Sequence, residues 1–265
     1  MKALDVDVRV TLAILRRHIN RLQSHLYRLP LDLFPEIASH LASESDLVNA
    51  THVSHHLRNT LLSHPSPWSH LNFEHETRAR TFFERSGRTP LHVDMVRNTA
   101  KMASSLAELR RQSNRIASLK LRLWPVQKNF LSESLPSLRR LDIFYEYEYD
   151  DDWEEEGWDA IWTTVWRPTE KATSWSFPSL TSLVVYNLSF TPVSAPNLTY
   201  FKFRAEKSPI NVHGLLGLLG GCSLLEHIDI SHGDEIPLDR PVPTVSLPNL
   251  RTYTQTALEI GRAHV

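Results

Sequence analysis

Residues 177–186 read FPSLTSLVVY and residues 195–204 read APNLTYFKFR. In both stretches a proline and a small polar residue precede three apolar positions with the spacing Leu-x-x-Leu-x-Leu. Alternating apolar residues of this kind predict a strand with one apolar face. The spacing recurs at Ile116/Leu119/Leu121, Leu138/Leu141/Ile143, Leu180/Leu183/Val185, Leu198/Phe201/Phe203, Leu225/Ile228/Ile230 and, incompletely, Leu250/Tyr253. The chain therefore contains a repeated structural unit.

The distance between successive copies indicates the kind of repeat. Their first positions are 22, 42, 18, 27 and 25 residues apart. A period of about 20–29 residues is typical of leucine-rich repeats, in which each unit buries its apolar strand face by stacking on its neighbours. Residues 74–258 resemble an irregular leucine-rich-repeat solenoid, and the interval of 42 residues indicates an insertion at 145–177. The resemblance implies a parallel sheet.

The residues between the apolar positions are expected to point outward, because side chains alternate along a strand. Exposed aromatic and charged side chains of this kind suit protein recognition. We predict that the target-binding residues are Arg122, Arg140, Phe144, Tyr186, Tyr200, Lys202, Arg204 and Asp229. The alternative is that this face is simply the solvent-exposed surface that any such array must have.

A second pattern precedes the repeats. Residues 29–37 read LPLDLFPEI and are followed by Leu41, Asp46-Leu47, Val53-Ser54, Arg58 and a closing Trp68-x-x-Leu71. Apolar residues recur every three or four positions, which predicts short helices, with Asp32 and either Ser45 or Asp46 as N-caps. In order and spacing, residues 29–73 resemble an F-box, the module that docks on the Skp adaptor of cullin-based ubiquitin ligases. Leu57 stands where that family often has an aromatic residue.

The resemblance implies a function and a set of contacts. Such a small domain has more apolar residues than one core can bury, so the surplus should meet a partner. The residues that would form or support the adaptor-binding face are Leu29, Pro30, Leu33, Ile37, Leu47, Val53 and Trp68. The chain would then be the substrate-receptor subunit of a Skp-cullin-F-box ubiquitin ligase, with an unknown target protein on its repeats. The alternative is a non-catalytic interaction scaffold that acts independently of ubiquitination.

The expected fold class is α+β overall, with an all-α three-helix F-box followed by an irregular α/β leucine-rich-repeat solenoid. Residues 1–28 precede the F-box and carry apolar side chains at a 4-3-4-3-4 spacing from Val8 to Leu26, which predicts an amphipathic helix that ends at Pro30. This helix is short for an independent coiled coil, so we expect it to dock on the next domain.

Composition and charge exclude several functional classes. The 265 residues include 29 Lys or Arg, 30 Asp or Glu and one cysteine, Cys222. A single thiol excludes an intramolecular disulfide and Cys-rich zinc sites, and the net charge of −1 argues against a general nucleic-acid binder. Charged residues near the N-terminus and the lack of a long apolar stretch argue against secretion and against a membrane partner. We therefore expect a cytoplasmic or nuclear protein.

Motifs for catalysis, cofactors and metals are missing from the sequence. It contains no Gly-x-Ser-x-Gly, His-Glu-x-x-His, Gly-x-x-x-x-Gly-Lys or Gly-x-Gly-x-x-Gly. His52, His55 and His56 share about one helical turn, but no acid or cysteine nearby completes a metal site. We expect no enzymatic activity, no catalytic residue, no cofactor and no metal.

Charge is distributed unevenly along the chain. Residues 1–135 hold 19 basic and 12 acidic side chains, whereas residues 136–265 hold 10 and 18, and eight of those acids lie within 146–156. The insertion at 145–177 also contains five of the seven tryptophans, and residues 158–166 predict a short helix. Two interpretations stay open: a solvated acidic loop, or a site that holds a basic segment of a substrate.

The two ends of the repeat region carry further signals. Residues 259–265 break the repeat pattern and resemble a translated sequencing adapter, so we expect a non-native tail on a C-terminally truncated fragment whose natural product continues beyond about Leu258. At the other end, Arg85-Ser86-Gly87 followed by Pro90-Leu91 resembles a junction found in the F-box proteins expanded in mushroom-forming fungi.

Overall fold

Eight strands form one parallel sheet in the computed structural model, which describes residues 2–41, 43–96, 103–122, 134–144, 175–187, 193–205, 212–232 and 244–257. Two further strands form a separate small sheet. In chain order the ten strands are β1 (His70–Asn72), β2 (Leu91–Met95), β3 (Ile116–Arg122), β4 (Arg140–Phe144), β5 (Trp175–Ser176), β6 (Ser182–Tyr186), β7 (Val193–Ser194), β8 (Tyr200–Ala205), β9 (His227–His232) and β10 (Thr252–Ala257). The order in the large sheet is β1-β2-β3-β4-β6-β8-β9-β10, and β5 pairs with β7 separately. The protein is therefore mixed α/β, and the predicted parallel sheet is confirmed.

Seven α-helices lie within the residues that the structure describes. They are α1 (Lys2–Gln23), α2 (Leu33–Ser39), α3 (Glu44–Val53), α4 (His55–Ser63), α5 (Glu76–Arg85), α6 (Ala103–Arg111) and α7 (Val212–Gly220). Short 3₁₀ turns occupy His25–Arg28, Ser66–Ser69 and Ser113–Arg115. Helices α5, α6 and α7 connect β1 to β2, β2 to β3 and β8 to β9, as crossover connections between parallel strands require.

The chain divides into two compact units. The first comprises Met1–Ser69 and Arg85–Gly87, and the second comprises His70–Glu84 and Arg88–Val265. The boundary falls at Ser69, shortly before the end predicted for the F-box at 73, because β1 pairs with β2 as the first strand of the sheet. The strand array thus begins earlier than the repeated sequence pattern.

The first unit is built from short helices around a buried aromatic residue. Phe34 on α2 is fully buried, and its ring meets the ring of His56 edge-on, with 5.5 Å between centroids. Leu47 on α3 and Leu61 on α4 are also buried. A helical cluster with one small apolar core is therefore present where the sequence predicts short helices.

The caps of these helices differ from the prediction. The Ser43 hydroxyl accepts a hydrogen bond from the Asp46 amide at 3.2 Å and caps α3, and the Ser54 hydroxyl caps α4 by accepting from the Leu57 amide at 3.1 Å. Asp46 therefore lies inside α3 instead of capping it. The side chain of Asp32 makes no capping bond to α2. Asp32 occupies the predicted N-cap position of α2 without making that bond. The cap predicted for α3 at Ser45 or Asp46 was wrong, because several Ser and Asp residues in this region suit a helix start equally well.

The apolar positions of the repeats form the inner face of the sheet. One row across the strands consists of Leu119, Leu141, Leu183, Phe201 and Ile228, and the next consists of Leu121, Ile143, Val185, Phe203 and Ile230. All of these are buried except Ile230, which is partly exposed. The predicted inward triplets are thus confirmed. In the incomplete last copy, Tyr253 on β10 is 55% exposed.

A tight turn precedes β4, β6, β8, β9 and β10. In each turn the amide of a leucine donates to the carbonyl three residues earlier: Leu138 to Leu135, Leu180 to Phe177, Leu198 to Ala195, Leu225 to Cys222 and Leu250 to Leu247. Four turns have proline in the second position, where its fixed φ suits the turn. The side-chain amides of Asn197 and Asn249 donate to the carbonyls of Pro178 and Ser223 in the preceding turns, at 2.7 and 2.9 Å. These bonds tie successive units together.

The N-terminal helix α1 differs from the prediction in length and packing. It ends at Gln23, well before Pro30, and Leu26 lies in the 3₁₀ turn that follows. Its apolar side chains Val8, Leu12, Leu15, Ile19 and Leu22 are between 47% and 60% exposed. The docking expected for this stripe is therefore not observed among the residues that the structure describes.

Two further predictions fall outside the described residues. The insertion at 145–177 is described only from Trp175, which is buried on β5, and its predicted helix at 158–166 is not covered. The tail at 259–265 is likewise not covered.

Candidate functional site

The outer face of the sheet carries the residues that alternate with the apolar positions. Strand register places them in three rows across β3, β4, β6, β8 and β9. The rows are Ser118, Arg140, Ser182, Tyr200 and His227; then Lys120, Asp142, Val184, Lys202 and Asp229; then Arg122, Phe144, Tyr186, Arg204 and Ser231. In the first two rows, short side chains on β6 therefore lie between longer ones on β4 and β8.

A concavity of about 330 Å³ results from this arrangement, and we call it the outer-face depression. Its lining residues are Arg140, Asp142, Phe144, Ser182, Val184, Tyr186, Tyr200 and Lys202. The floor follows the short side chains Ser182 and Val184, since their neighbours in register on both sides are longer. The volume lies in the range of pockets that hold small ligands or single side chains.

Arg140 and Asp142 form an ion pair on one side of the depression. The Nε and Nη2 atoms of Arg140 donate to both carboxylate oxygens of Asp142, at 3.0 to 3.2 Å. The Asp142 side chain is only 11% exposed, so this bidentate pair supplies the partner that a buried charge requires. The hydrogen bond and charge of Asp142 raise the pKa of Arg140, and the phenol groups of Tyr200 and Tyr186 act in the same direction. Arg140 is therefore a fixed cation.

Lys202 supplies a second cation from the opposite side. Its Nζ lies 2.7 Å from Oδ2 of Asp229, one strand further out. This hydrogen bond is the main cause that raises the pKa of Lys202, against partial desolvation, and the charge of Asp229 and the phenols of Tyr200 and Tyr186 add to it. Two positive groups and two tyrosines therefore converge on one small depression.

Stacked aromatic rings form one end of the depression. The rings of Phe144 and Tyr186 are nearly parallel, with an interplanar angle of 10° and 4.5 Å between centroids. Lys120 places its ammonium 5.4 Å from the centroid of Phe144 and pairs with Asp94 at 3.3 Å. This end offers a flat apolar surface with positive charge beside it.

The structure brings five of the eight predicted target-binding residues together. Those that line the depression are Arg140, Phe144, Tyr186, Tyr200 and Lys202. Asp229 contributes indirectly by pairing with Lys202, whereas Arg122 and Arg204 belong to the same outer face but do not line the depression. Ser182 was missed; the signal for it is its place as the first outward residue of β6, where a short side chain between longer neighbours makes a floor.

A histidine pair at the start of the sheet was also missed. His70 on β1 and His92 on β2 are opposite in register, and their rings stack at 4.5 Å and 11°. Burial lowers the pKa of His70; burial and, secondarily, the charge of His70 lower the pKa of His92. A three-residue strand such as β1 is too short to give a recognisable alternation in the sequence.

The predicted adaptor-binding residues divide into exposed and buried sets. Leu33 and Ile37 are both 43% exposed and lie one turn apart on α2, and Val53 at the end of α3 is 68% exposed. Pro30 is exposed and Leu29 partly so. These side chains are available on the surface of the first unit.

Leu47 and Trp68 are buried instead. The Trp68 indole Nε1 donates to the carbonyl of Leu61 at 2.8 Å, and the guanidinium of Arg85 lies 4.6 Å from the ring centroid. A residue in this position holds the helical unit together and is not free to contact another protein. Of the predicted set, these two therefore belong to the supporting core.

The groups that could bind a metal or act as a nucleophile are few in the described residues. Over the described ranges, no group of three or more His, Cys, Asp or Glu side chains could hold a metal ion. Cys222 is buried, its Sγ lies 3.1 Å from the carbonyl of Leu218, and burial raises the pKa of its thiol to about 11. The raised pKa keeps this thiol protonated and therefore unreactive. Its contact with Leu218 makes it a structural part of its turn. No helix in the described part of the chain is long and apolar enough to span a membrane.

The geometry therefore favours binding on two separate surfaces, the exposed apolar side chains of the first unit and the outer face of the sheet in the second. No family model, curated protein or solved structure matches this chain.

Proposed function

We propose that this chain is the substrate-receptor subunit of a Skp-cullin-F-box ubiquitin ligase. Residues 29–73 act as the F-box that docks on the Skp adaptor, and the sheet is an irregular leucine-rich-repeat solenoid whose outer face holds a target protein. The chain performs no chemistry of its own. It raises the effective concentration of the target beside a ubiquitin-loaded conjugating enzyme.

The observation that carries this proposal is the exposure of apolar side chains on a small helical unit. Leu33 and Ile37 are partly exposed and Val53 is largely exposed, although the unit has buried Phe34 and Leu47 in its own core. Exposing such groups is unfavourable, and clusters of them mark surfaces that bind other proteins. The residues that the F-box resemblance assigns to the adaptor therefore include side chains that are free to make that contact.

The solenoid part of the proposal is supported by the topology of the sheet. Its strands follow one another in chain order with no reversal, whereas doubly wound sheets reverse at a switch point. The same turn recurs before five strands, and Asn197 and Asn249 make equivalent bonds to the turn before. Stacking of like units on their neighbours is what repeat architectures have in common.

Co-purification with a purified Skp adaptor tests the proposal. We expect the double variant Leu33→Ser, Ile37→Ser to weaken adaptor binding at least about tenfold, because it removes two exposed apolar side chains from the proposed interface. Leu62→Ser is the matched control, since Leu62 on α4 is 40% exposed and is not assigned to the adaptor. Circular dichroism of each variant checks that the helices remain.

Three results would overturn the assignment: no binding of the unaltered chain to the adaptor, undiminished binding by the double variant, or an equal loss with Leu62→Ser. Failure of the unaltered chain to bind would leave the interaction scaffold independent of ubiquitination as the better description.

A further inference from the structure

Charged hydrogen-bond donors of Arg140 and Lys202 line the outer-face depression. The contacts of Arg140 to Asp142 use Nε and Nη2, which leaves Nη1 outside the pair, and the Lys202 ammonium has three donors of which Asp229 takes one. Hydroxyl groups come from Tyr186, Tyr200 and Ser182, which also line the depression. The one carboxylate in the lining, that of Asp142, is already engaged by Arg140. A ligand that accepts hydrogen bonds fits this lining.

The charges in and around the depression limit the ligand to a single negative charge. Arg140 and Lys202 are cations, but Asp142 and Asp229 each offset one of them. Because each cation is paired with a carboxylate, a dianion would gain little more net attraction than a monoanion and would lose more of its hydration. A carboxylate therefore suits the depression better than a phosphate group.

The apolar surfaces in the depression favour a ligand that also carries an apolar segment. Val184 forms part of the floor, and the stacked rings of Phe144 and Tyr186 form one end. A carboxylate carried on a short methylene chain can lie on these surfaces while its oxygens reach the donors. Glutamate has such a side chain.

We propose that the outer-face depression binds the carboxylate of a glutamate side chain in a peptide segment of the target protein. Lys202 and the Nη1 group of Arg140 contact the carboxylate oxygens, the hydroxyls of Tyr186 and Tyr200 donate to them, and the methylene groups pack on Val184. This inference rests on the proposed function insofar as the outer face is the target-binding surface, but it concerns the binding chemistry of that surface alone.

Titration calorimetry of the full chain with three short peptides tests the proposal. The peptides differ only at a central position, which is Glu, Gln or phosphoserine, with one tyrosine on either side. We expect the Glu peptide to bind about tenfold more tightly than the Gln peptide, because charge-assisted hydrogen bonds are lost in the amide. Lys202→Met should abolish this preference and Lys202→Arg should retain it.

Two further variants separate a specific site from general attraction. Arg139→Gln removes a neighbouring exposed cation that does not line the depression, and it should leave the preference for Glu unchanged. Tyr200→Phe keeps the ring and removes only the hydroxyl, so it should reduce the preference for Glu even if Lys202→Met fails to fold.

Several outcomes would overturn the glutamate site: equal binding of the Glu and Gln peptides, tighter binding of phosphoserine, an equal loss with Arg139→Gln, or no binding of any peptide at millimolar concentration. Adaptor co-purification is measured independently, so loss of adaptor binding with an intact preference for Glu would reject the ligase assignment and keep the site.

Discussion

At the scale of single residues, the pKa values of ionisable groups on β4 and on the first two strands of the sheet are shifted in opposite directions. Arg140 has a carboxylate partner at hydrogen-bond distance, which raises its pKa and keeps it charged. His70 and His92 have each other as neighbours and are partly desolvated, which favours the neutral imidazole. Nearby Asp94 does not offset this effect directly, because its carboxylate pairs with Lys120.

The histidine pair makes stability depend on pH. Both pKa values are lowered in the folded chain, so the unfolded chain binds protons at a higher pH than the folded chain does. The contribution of the neutral pair to stability is therefore fully present above about pH 6.5, the pKa of histidine in the unfolded chain. It is lost as the pH decreases from there toward the lower pKa values of the folded chain. We expect the urea midpoint of the unaltered chain to be lower at about pH 5 than at about pH 7.5.

His92→Gln is the variant that isolates this effect. It removes one member of the pair, so the difference between the two midpoints should shrink, whereas His75→Gln changes an exposed histidine outside the pair and should leave the difference unchanged. Equal pH dependence in all three proteins would mean that the stacked pair is not the cause.

The outward positions were readable from sequence, but their partners were not. Alternation along β4 and β8 assigns Arg140 and Lys202 to the outer face. Alternation alone does not show that Asp142 accepts hydrogen bonds from Arg140, or that Asp229 on β9 pairs with Lys202 on the neighbouring strand β8. Those pairs depend on the register between strands, which the turn before each strand helps to set.

At the scale of elements, the turn before each strand fixes the position at which the strand starts. The fourth turn, Cys222-Ser223-Leu224-Leu225, has the same hydrogen bond as the others but lacks the proline in its second position. Its Ser223 carbonyl accepts from Asn249, just as the Pro178 carbonyl accepts from Asn197. The backbone of this turn is therefore compatible with proline.

Ser223→Pro is expected to stabilise the protein by about 0.4–1 kcal/mol, because proline reduces the conformational freedom of the unfolded chain where the folded backbone already fits it. Ser179→Pro is the matched control. It places proline in the third position of a turn, where it forces the preceding residue out of its conformation, and it should destabilise. Urea midpoints measure both effects, and a loss of stability with Ser223→Pro would contradict the equivalence of the turns.

Element predictions succeeded where a pattern was long and failed where it was short. The inward triplets of β3, β4, β6 and β8 came directly from the spacing of apolar residues, since each strand is long enough to alternate. Strand β1 has only three residues and was not predicted. The end of α1 at Gln23 was also missed, because the apolar spacing continues to Leu26 although the helix does not.

At the scale of the whole molecule, the rows of the inner sheet face are among the most completely buried apolar side chains. Leu141 is fully buried there, whereas Leu15 on α1 is about half exposed. Two leucines that look alike in the sequence therefore contribute unequally to the free energy of unfolding. No sequence pattern distinguishes the two, because burial depends on what lies opposite.

We expect Leu141→Ala to cost about 2–5 kcal/mol, since it leaves a cavity in the core. Leu15→Gln should change the free energy of unfolding by less than about 0.5 kcal/mol, since surface substitutions rarely do more. Denaturation in urea, followed by circular dichroism, compares the two. A large cost for Leu15→Gln would mean that α1 docks on another part of the chain.

The strands of the large sheet follow chain order, from β1 to β10 without β5 and β7, and this order also determines where unfolding begins. Within the described residues, each strand of this sheet pairs only with its immediate neighbours in that order. Under force or heat we expect the outermost strands to separate first, while β4, β6 and β8 stay paired. Such a sheet is expected to unfold in steps, from its outermost strands toward its centre.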